Sequence, residues 1–165
     1  MRALIIGRFQ PFHNGHVFLV ENSRDYELIF AIGSAYKSFS FENPFTAGER
    51  YEMICNAMEE LSVKKFFVVP VPDINRHGVY AKHLADLSPS FDIVISNNEL
   101  IKEIFEREGY KVKETGLHNR EEYQGKVIRK RIAERKEWEN LVPKSVAEFI
   151  KKIGGDERIR KLVNF

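Results

Sequence analysis

Four short runs in this chain are continuously apolar rather than alternating: "ALII" (Ala3–Ile6), "LIFAI" (Leu28–Ile32), "FFVVPV" (Phe66–Val71) and "DIVIS" (Asp92–Ser96). Strands of that kind need cover on both faces, as in a parallel sheet, and a parallel sheet needs crossovers. The crossovers are present. "GHVFLVENS" follows the first run, "TAGERYEMICNAMEELS" the second, "VYAKHLADL" the third and "NELIKEIFEREG" the fourth. In the second of these, Ala47, Tyr51, Ile54, Met58 and Leu61 recur at the spacing of one helical face, and Thr46 with Glu49 forms a T-x-x-E capping box at its start. Gly109 is placed to close the fourth helix, and "YKVKE" (Tyr110–Glu114) reads as a fifth, edge strand.

Strand–helix alternation repeated in this way predicts an α/β chain with a doubly wound parallel sheet. Right-handed crossovers would bring the strand C-termini to one edge, where such sheets bind ligands. After residue 115 the chain turns helical: a basic helix over Lys126–Lys136, one beginning at Pro143, and one over Asp156–Val163, with "GG" at 154–155 as a hinge. The expectation is one domain over 1–165, with a helical C-terminal part from about 120. Periodicity leaves open whether the terminal helices pack on the sheet or on a neighbouring subunit.

Composition narrows the function classes. With 43% hydrophobic residues, 13 Phe and 6 Tyr in 165 residues, the chain can bury a real core. Its net charge is only +2, so affinity for an anion must come from local placement. Cys55 is the only cysteine, which excludes a disulfide framework and a multi-cysteine zinc site and fits a reducing compartment. No apolar stretch approaches about 18 residues, and the N-terminus lacks a signal-peptide layout, so the expectation is a cytoplasmic protein with no membrane partner.

The densest chemistry lies at the end of the first strand, in "GRFQPFHNGH" (Gly7–His16). Gly7 lets the backbone leave the sheet tightly, and Gly15 lets it pass close to another group. The first helical turn offers unpaired N–H groups and a positive dipole end, a ready anion site. His13 and His16 are three apart and can share a face. Spacing alone permits three readings: a phosphate cradle, a Gly/Pro turn with two structural histidines, or a metal pair that lacks a third ligand nearby.

This stretch resembles the G-[RS]-F-x-P-x-H-x-G-H element of the nucleotidyltransferase superfamily, and Arg8, Phe9 and Pro11 strengthen the match. "IGSAYKSFSFENPFTAGERYEMI" (Ile32–Ile54) and "LVPKSVAEFIKKIGGDERIRKL" (Leu141–Leu162) resemble the archaeal type of nicotinamide-nucleotide adenylyltransferase, and the likeness runs over essentially the whole chain. The resemblance implies a Rossmann-like fold, transfer of AMP from ATP to nicotinamide mononucleotide to give NAD and pyrophosphate, a Mg²⁺ requirement and a homo-oligomer. It implies an ATP site from Gly7, Arg8, Phe9, Gln10, His13, His16, Arg50, Lys126 and Arg129, with His16, His13, Arg50 and Arg129 as the catalytic set and no protein metal ligand. It places the mononucleotide against Gly33, Ser34, Ala35, Ile74, Asn75, Tyr80 and Asn98. The chemistry suits donors rather than carboxylates, because the nucleophile is the substrate's own phosphate oxygen.

Several positions depart from the family pattern. The [ST]-x-x-[IV]-R stretch reads Gln124-Gly125-Lys126-Val127-Ile128-Arg129, so the arginine stands but the hydroxyls do not. Tyr80 stands where a tryptophan commonly stacks on the nicotinamide, and Asn97-Asn98 replaces a glycine–asparagine pair. Arg50 could equally be a surface arginine paired with Glu49 or Glu52, and Tyr80 a packed core residue. "KVIRKRIAERK" could be a nucleic-acid helix, but its charges fall all round the helix, so no nucleic-acid partner is expected. Two other classes compete with the leading reading. One is the same reaction on phosphopantetheine or a flavin nucleotide; the other is a nucleotide-binding protein with weak catalysis.

Overall fold

A computed structural model describes residues 1–116 and 119–164. Its sheet is built from β1 (Arg2–Gly7), β2 (Glu27–Ile32), β3 (Phe66–Pro70), β4 (Ile93–Ile95) and β5 (Lys111–Lys113). The strands run parallel in the order β3-β2-β1-β4-β5, the doubly wound arrangement that the apolar runs predict. Ile5 stands at the centre, registered with Phe30 on one side and Ile95 on the other. The strand order reverses between β1 and β4, so the crevice above their C-terminal ends is the expected ligand position.

The helices are α1 (Asn14–Glu21), α2 (Ala47–Glu60), α3 (Tyr80–Leu87), α4 (Glu99–Arg107), α5 (Gly125–Ala133), α6 (Lys144–Lys152) and α7 (Gly155–Leu162). Alternate strand residues face opposite sides, as the pleat requires. Ala3, Ile5, Leu28, Phe30 and Ile95 pack with α1, α2 and the C-terminal helices, whereas Leu4, Ile29, Ala31 and Val94 pack with α3 and α4. Ile128, Ile132, Val146, Ile150 and Ile159 belong to the first of these cores, so the terminal helices cover the sheet's own face. Among the described residues no helix is long and apolar enough to cross a membrane.

Thr46 and Glu49 cap α2 reciprocally, and Gly109 follows α4 at φ +86°, both as the sequence predicts. The buried face of α2 differs from the expected one. It carries Arg50, Met53, Ile54, Ala57 and Met58, while Tyr51 is 43% exposed. The apolar spacing pointed to Tyr51 because it could not anticipate an arginine in the interior. Helix α5 begins at Gly125 and stops at Ala133, short of Lys136, and Arg135 has φ +57°. Pro143 is the N-cap of α6 rather than its first residue. At the "GG" hinge, Gly154 takes φ +69°, and a Cβ on Gly155 would come within 2.7 Å of the Phe45 ring.

One ion pair ties the end of the chain to the start of α2. Arg158 donates from Nη1 and Nη2 to Oε1 and Oε2 of Glu49 at 2.7 and 2.9 Å, and from Nη1 to the Pro44 carbonyl at 3.1 Å. Its guanidinium also lies over the Phe39 ring, 4.4 Å from the centroid. Burial alone would raise the Glu49 carboxyl, but the Arg158 fork and the Thr46 N–H outweigh it and hold the group below the ordinary glutamate value. That carboxylate therefore stabilises the fold fully above its unfolded pKa, and the contribution fades as pH falls through the lower folded value. R158A should cost about 2 kcal/mol of stability at pH 7. In urea denaturation the gap between R158A and wild type should narrow on acidification below about pH 4.5.

Candidate active site

The first helix opens with a capping box made from two histidines. His13 is the N-cap of α1, and its Nδ1 accepts the Gly15 N–H at 3.1 Å; His16, at the third helical position, accepts the His13 N–H on its own Nδ1 at 3.0 Å. The rings stack with centroids 3.8 Å apart, so the H-x-G-H spacing does place both on one face. An imidazole nitrogen that accepts a hydrogen bond carries no proton, so each ring is neutral and keeps its one N–H at Nε2. Titration agrees. Burial, aided by the Arg129 charge, lowers His13 to about 3, and burial with His13 beside it takes His16 well below the ordinary value. Gly15 is required by this contact, since a Cβ there would lie 2.8 Å from the His13 ring.

The turn that carries the histidines is pinned from behind. Phe9, at φ +53°, is buried and supports the His16 ring at 4.6 Å; Phe12 supports it at 5.1 Å. The expected part of Phe9 in ATP binding therefore falls to its backbone, because its ring belongs to the core. The Gln10 side chain is likewise held inside the protein. Gln10 is 3% exposed, and its amide donates to the Phe45 carbonyl at 3.0 Å and accepts the Phe45 N–H at 2.9 Å, so it grips the loop before α2.

Arg50 is not a surface residue paired with Glu49 or Glu52. It is fully buried, and its guanidinium donates to six carbonyls: Thr46, Arg8, Gly33, Ser34, Ala35 and Lys37, at 2.8–3.4 Å. Burial, with Arg8 nearby, lowers its pKa to about 10, so it stays charged at neutral pH. Gly33, Ser34 and Ala35 thus meet Arg50 through their carbonyls, and Ala35 is buried. A Cβ on Gly33 would lie 3.9 Å from the Tyr80 hydroxyl, which puts this strand end next to the α3 side of the cleft. Arg129 works similarly: 4% exposed, it donates from Nη1 to the Gln10 carbonyl at 2.8 Å, while its Nε is buried without a partner. Gly125 makes room for it, since a Cβ there would lie 2.7 Å from Nη1.

Two cavities open at this edge. The larger, about 430 Å³, is lined by His13, Gly15 and His16 together with Asn97, Arg120 and Gln124. The smaller, about 220 Å³, gathers Ile74, Asn75, Tyr80 and Asn98, four of the residues expected around a mononucleotide. Asn98 lies in the wall of both. Its Oδ1 caps α4 through the Leu100 and Ile101 N–H groups, and Asn97 bridges to Thr115 and Gly116, joining the ends of β4 and β5. Gly7 accepts the Gly33 N–H at 2.8 Å, joining β1 to β2. Arg8 is exposed at the rim, 3.3 Å from Asn43 Oδ1, and Lys126 is exposed outside the larger cavity's wall. Sequence reasoning missed Arg120. It stands in the charged run "NREEY", which reads as a solvated loop, and its only signal is its place just ahead of the phosphate motif.

The chain is similar to proteins of known families over nearly its whole length. The family model described as cytidylyltransferase-like matches residues 4–142. A nicotinamide-nucleotide adenylyltransferase of Methanococcus aeolicus is 47% identical, the match covering 98% of this chain and 95% of that one. The protein of the same name from Archaeoglobus fulgidus is 45% identical over 98% and 97%. Among solved structures, a bifunctional NMN adenylyltransferase/ADP ribose pyrophosphatase of Francisella tularensis superposes with a TM-score of 0.79 at 16% identity. It shares the fold, and the match covers 99% of this chain but about half of that one, 52%.

G15A should displace the His13 ring and reduce turnover at least tenfold, with a far-UV spectrum like that of the wild type. The lowered imidazole pKa gives a second outcome. Between about pH 6.5 and pH 3 the unfolded chain binds the proton that folded His13 refuses, so stability falls on acidification across that window. H13Q should show a shallower loss in urea titrations over the same range.

Proposed function

Because the chain belongs to the cytidylyltransferase-like family and, within it, to the nicotinamide-nucleotide adenylyltransferases, we propose that it transfers AMP from ATP to nicotinamide mononucleotide, forming NAD and pyrophosphate. The observation that carries the reading is the histidine capping box, which puts two neutral imidazoles from the start of α1 in the wall of the larger cavity.

The chemistry follows from that donor set. A phosphate oxygen of the mononucleotide attacks the α-phosphorus of ATP; the new P–O bond forms as the bond to the bridging oxygen breaks, and pyrophosphate leaves with the electron pair. The attacking oxygen is already ionised at neutral pH, so no protein base is required. The barrier falls through alignment and through donors placed where negative charge spreads. His16 and His13 give Nε2–H groups to the α- and β-phosphates. Their fixed tautomer means that no reorganisation is needed as charge develops. Arg129 and the α5 N-terminus lie behind the turn, with Arg8 at the rim. Arg50 acts through the backbone it holds, as a positioning residue. The mononucleotide occupies the smaller cavity, with the Tyr80 ring as its stacking face.

Mg²⁺ enters as part of the ATP substrate. The triphosphate offers the hard oxygen ligands that this ion prefers.

ATP, nicotinamide mononucleotide and Mg²⁺ incubated with the protein should yield NAD and pyrophosphate in equal amounts. H16A should keep the fold and lose about 10²–10³ in kcat. Nucleotide binding without NAD formation would instead support the weak-catalysis reading, and turnover on phosphopantetheine would reassign the acceptor. Acidification through about pH 6.5 should not raise kcat, because the histidines work unprotonated. A rise in rate on acidification through that pH would contradict the tautomer assignment.

A further inference from the structure

The larger cavity has a shortage of positive charge for a polyphosphate. His13 and His16 are neutral, since each Nδ1 accepts a backbone N–H. Arg50 spends its guanidinium on carbonyls, and Arg129 is buried with Nη1 on the Gln10 carbonyl. Arg8 and Lys126 are exposed and outside this wall. Among the described residues that form the wall, Arg120 is the one full cation, and it lines the same cavity as the imidazoles.

We propose that Arg120 binds the polyphosphate of the nucleotide in this cavity and supplies the charge that the paired imidazoles lack; the inference rests on the adenylyltransferase reading. Its backbone is held for that purpose. Gln124 Nε2 donates to the Arg120 carbonyl at 2.5 Å, and the N–H groups of Glu122 and Tyr123 donate to the Asn119 carbonyl at 3.0 and 2.8 Å. These bonds fold the segment before α5 into a turn. They also give Gln124 a place in the site. Where the family has a hydroxyl, this chain has an amide that braces the arginine, so Gln124 is a positioning residue for Arg120. An arginine suits the task because its planar fork can meet two phosphate oxygens at once while remaining fully charged.

The test compares R120Q, R120K and wild type for binding of α,β-methylene-ATP with Mg²⁺ by calorimetry, at low and high salt, beside kcat and both KM values. R120Q should weaken analogue binding about tenfold or more, the loss of one charge-assisted contact. It should lower kcat, flatten the salt dependence, and leave the mononucleotide KM within about twofold and the melting temperature unchanged. R120K should recover part of the binding. Wild-type affinity and turnover in R120Q, or no recovery in R120K, would overturn the proposal. If wild type binds the analogue but forms no NAD, the reaction reading fails while the binding comparison still decides the role of Arg120. If wild type does not bind the analogue, both fall.

Discussion

Everything at the ligand edge depends on one buried cation. Strand C-termini crowd carbonyl oxygens into a small space, and parallel strands leave those oxygens pointing the same way with no ladder partner. Arg50 solves this from inside. A single guanidinium satisfies carbonyls on both sides of the β1–β2 seam, among them Arg8 and Gly33. A lysine has one donor centre and cannot span that set. The expense of desolvating the charge is met by full hydrogen bonding rather than by a contacting carboxylate. The result is a rigid shelf from which the turn at residues 7–11 projects. Arg129 holds the same turn from the far end of the sequence through the Gln10 carbonyl.

The histidines inherit their state from this shelf. Their tautomers are fixed by the helix they begin, because the N-terminal amides of α1 need acceptors and the two Nδ1 atoms are the acceptors at hand. Structure and chemistry are thus met by opposite sides of the same rings. One nitrogen satisfies the backbone, which leaves the other as a donor. Neutral donors alone hold a triphosphate weakly, which is why charge at the cavity wall matters.

Much of this was legible in the sequence, for identifiable reasons. Continuous apolar runs such as "ALII" and "DIVIS" announce buried parallel strands, because burial on both faces leaves no alternation to misread. The T-x-x-E box and Gly109 are local signals with local causes. The H-x-G-H spacing places its two rings together because helical geometry fixes it. The buried settings of Arg50 and Gln10 were not legible. Whether an arginine reaches a ligand or six carbonyls is decided by which strand ends surround it, and that is tertiary information. Tyr51 was misplaced for the same reason, since hydrophobic spacing assigned the inner face to the ring and the structure gives it to the neighbouring guanidinium. Arg120 was invisible because a charge in a polar loop carries no periodic signal.

The pair between Glu49 and Arg158 has a consequence for biosynthesis. Glu49 begins the helix whose next residue is Arg50, and its counter-ion is made more than a hundred residues later. A growing polypeptide can lay down all five strands, yet the loop at Pro44–Phe45 gains its last tether only when Arg158 has left the ribosome. Fragments that stop short of Arg158 would carry the same five strands with the start of α2 held less firmly, by about the 2 kcal/mol that the ion pair contributes.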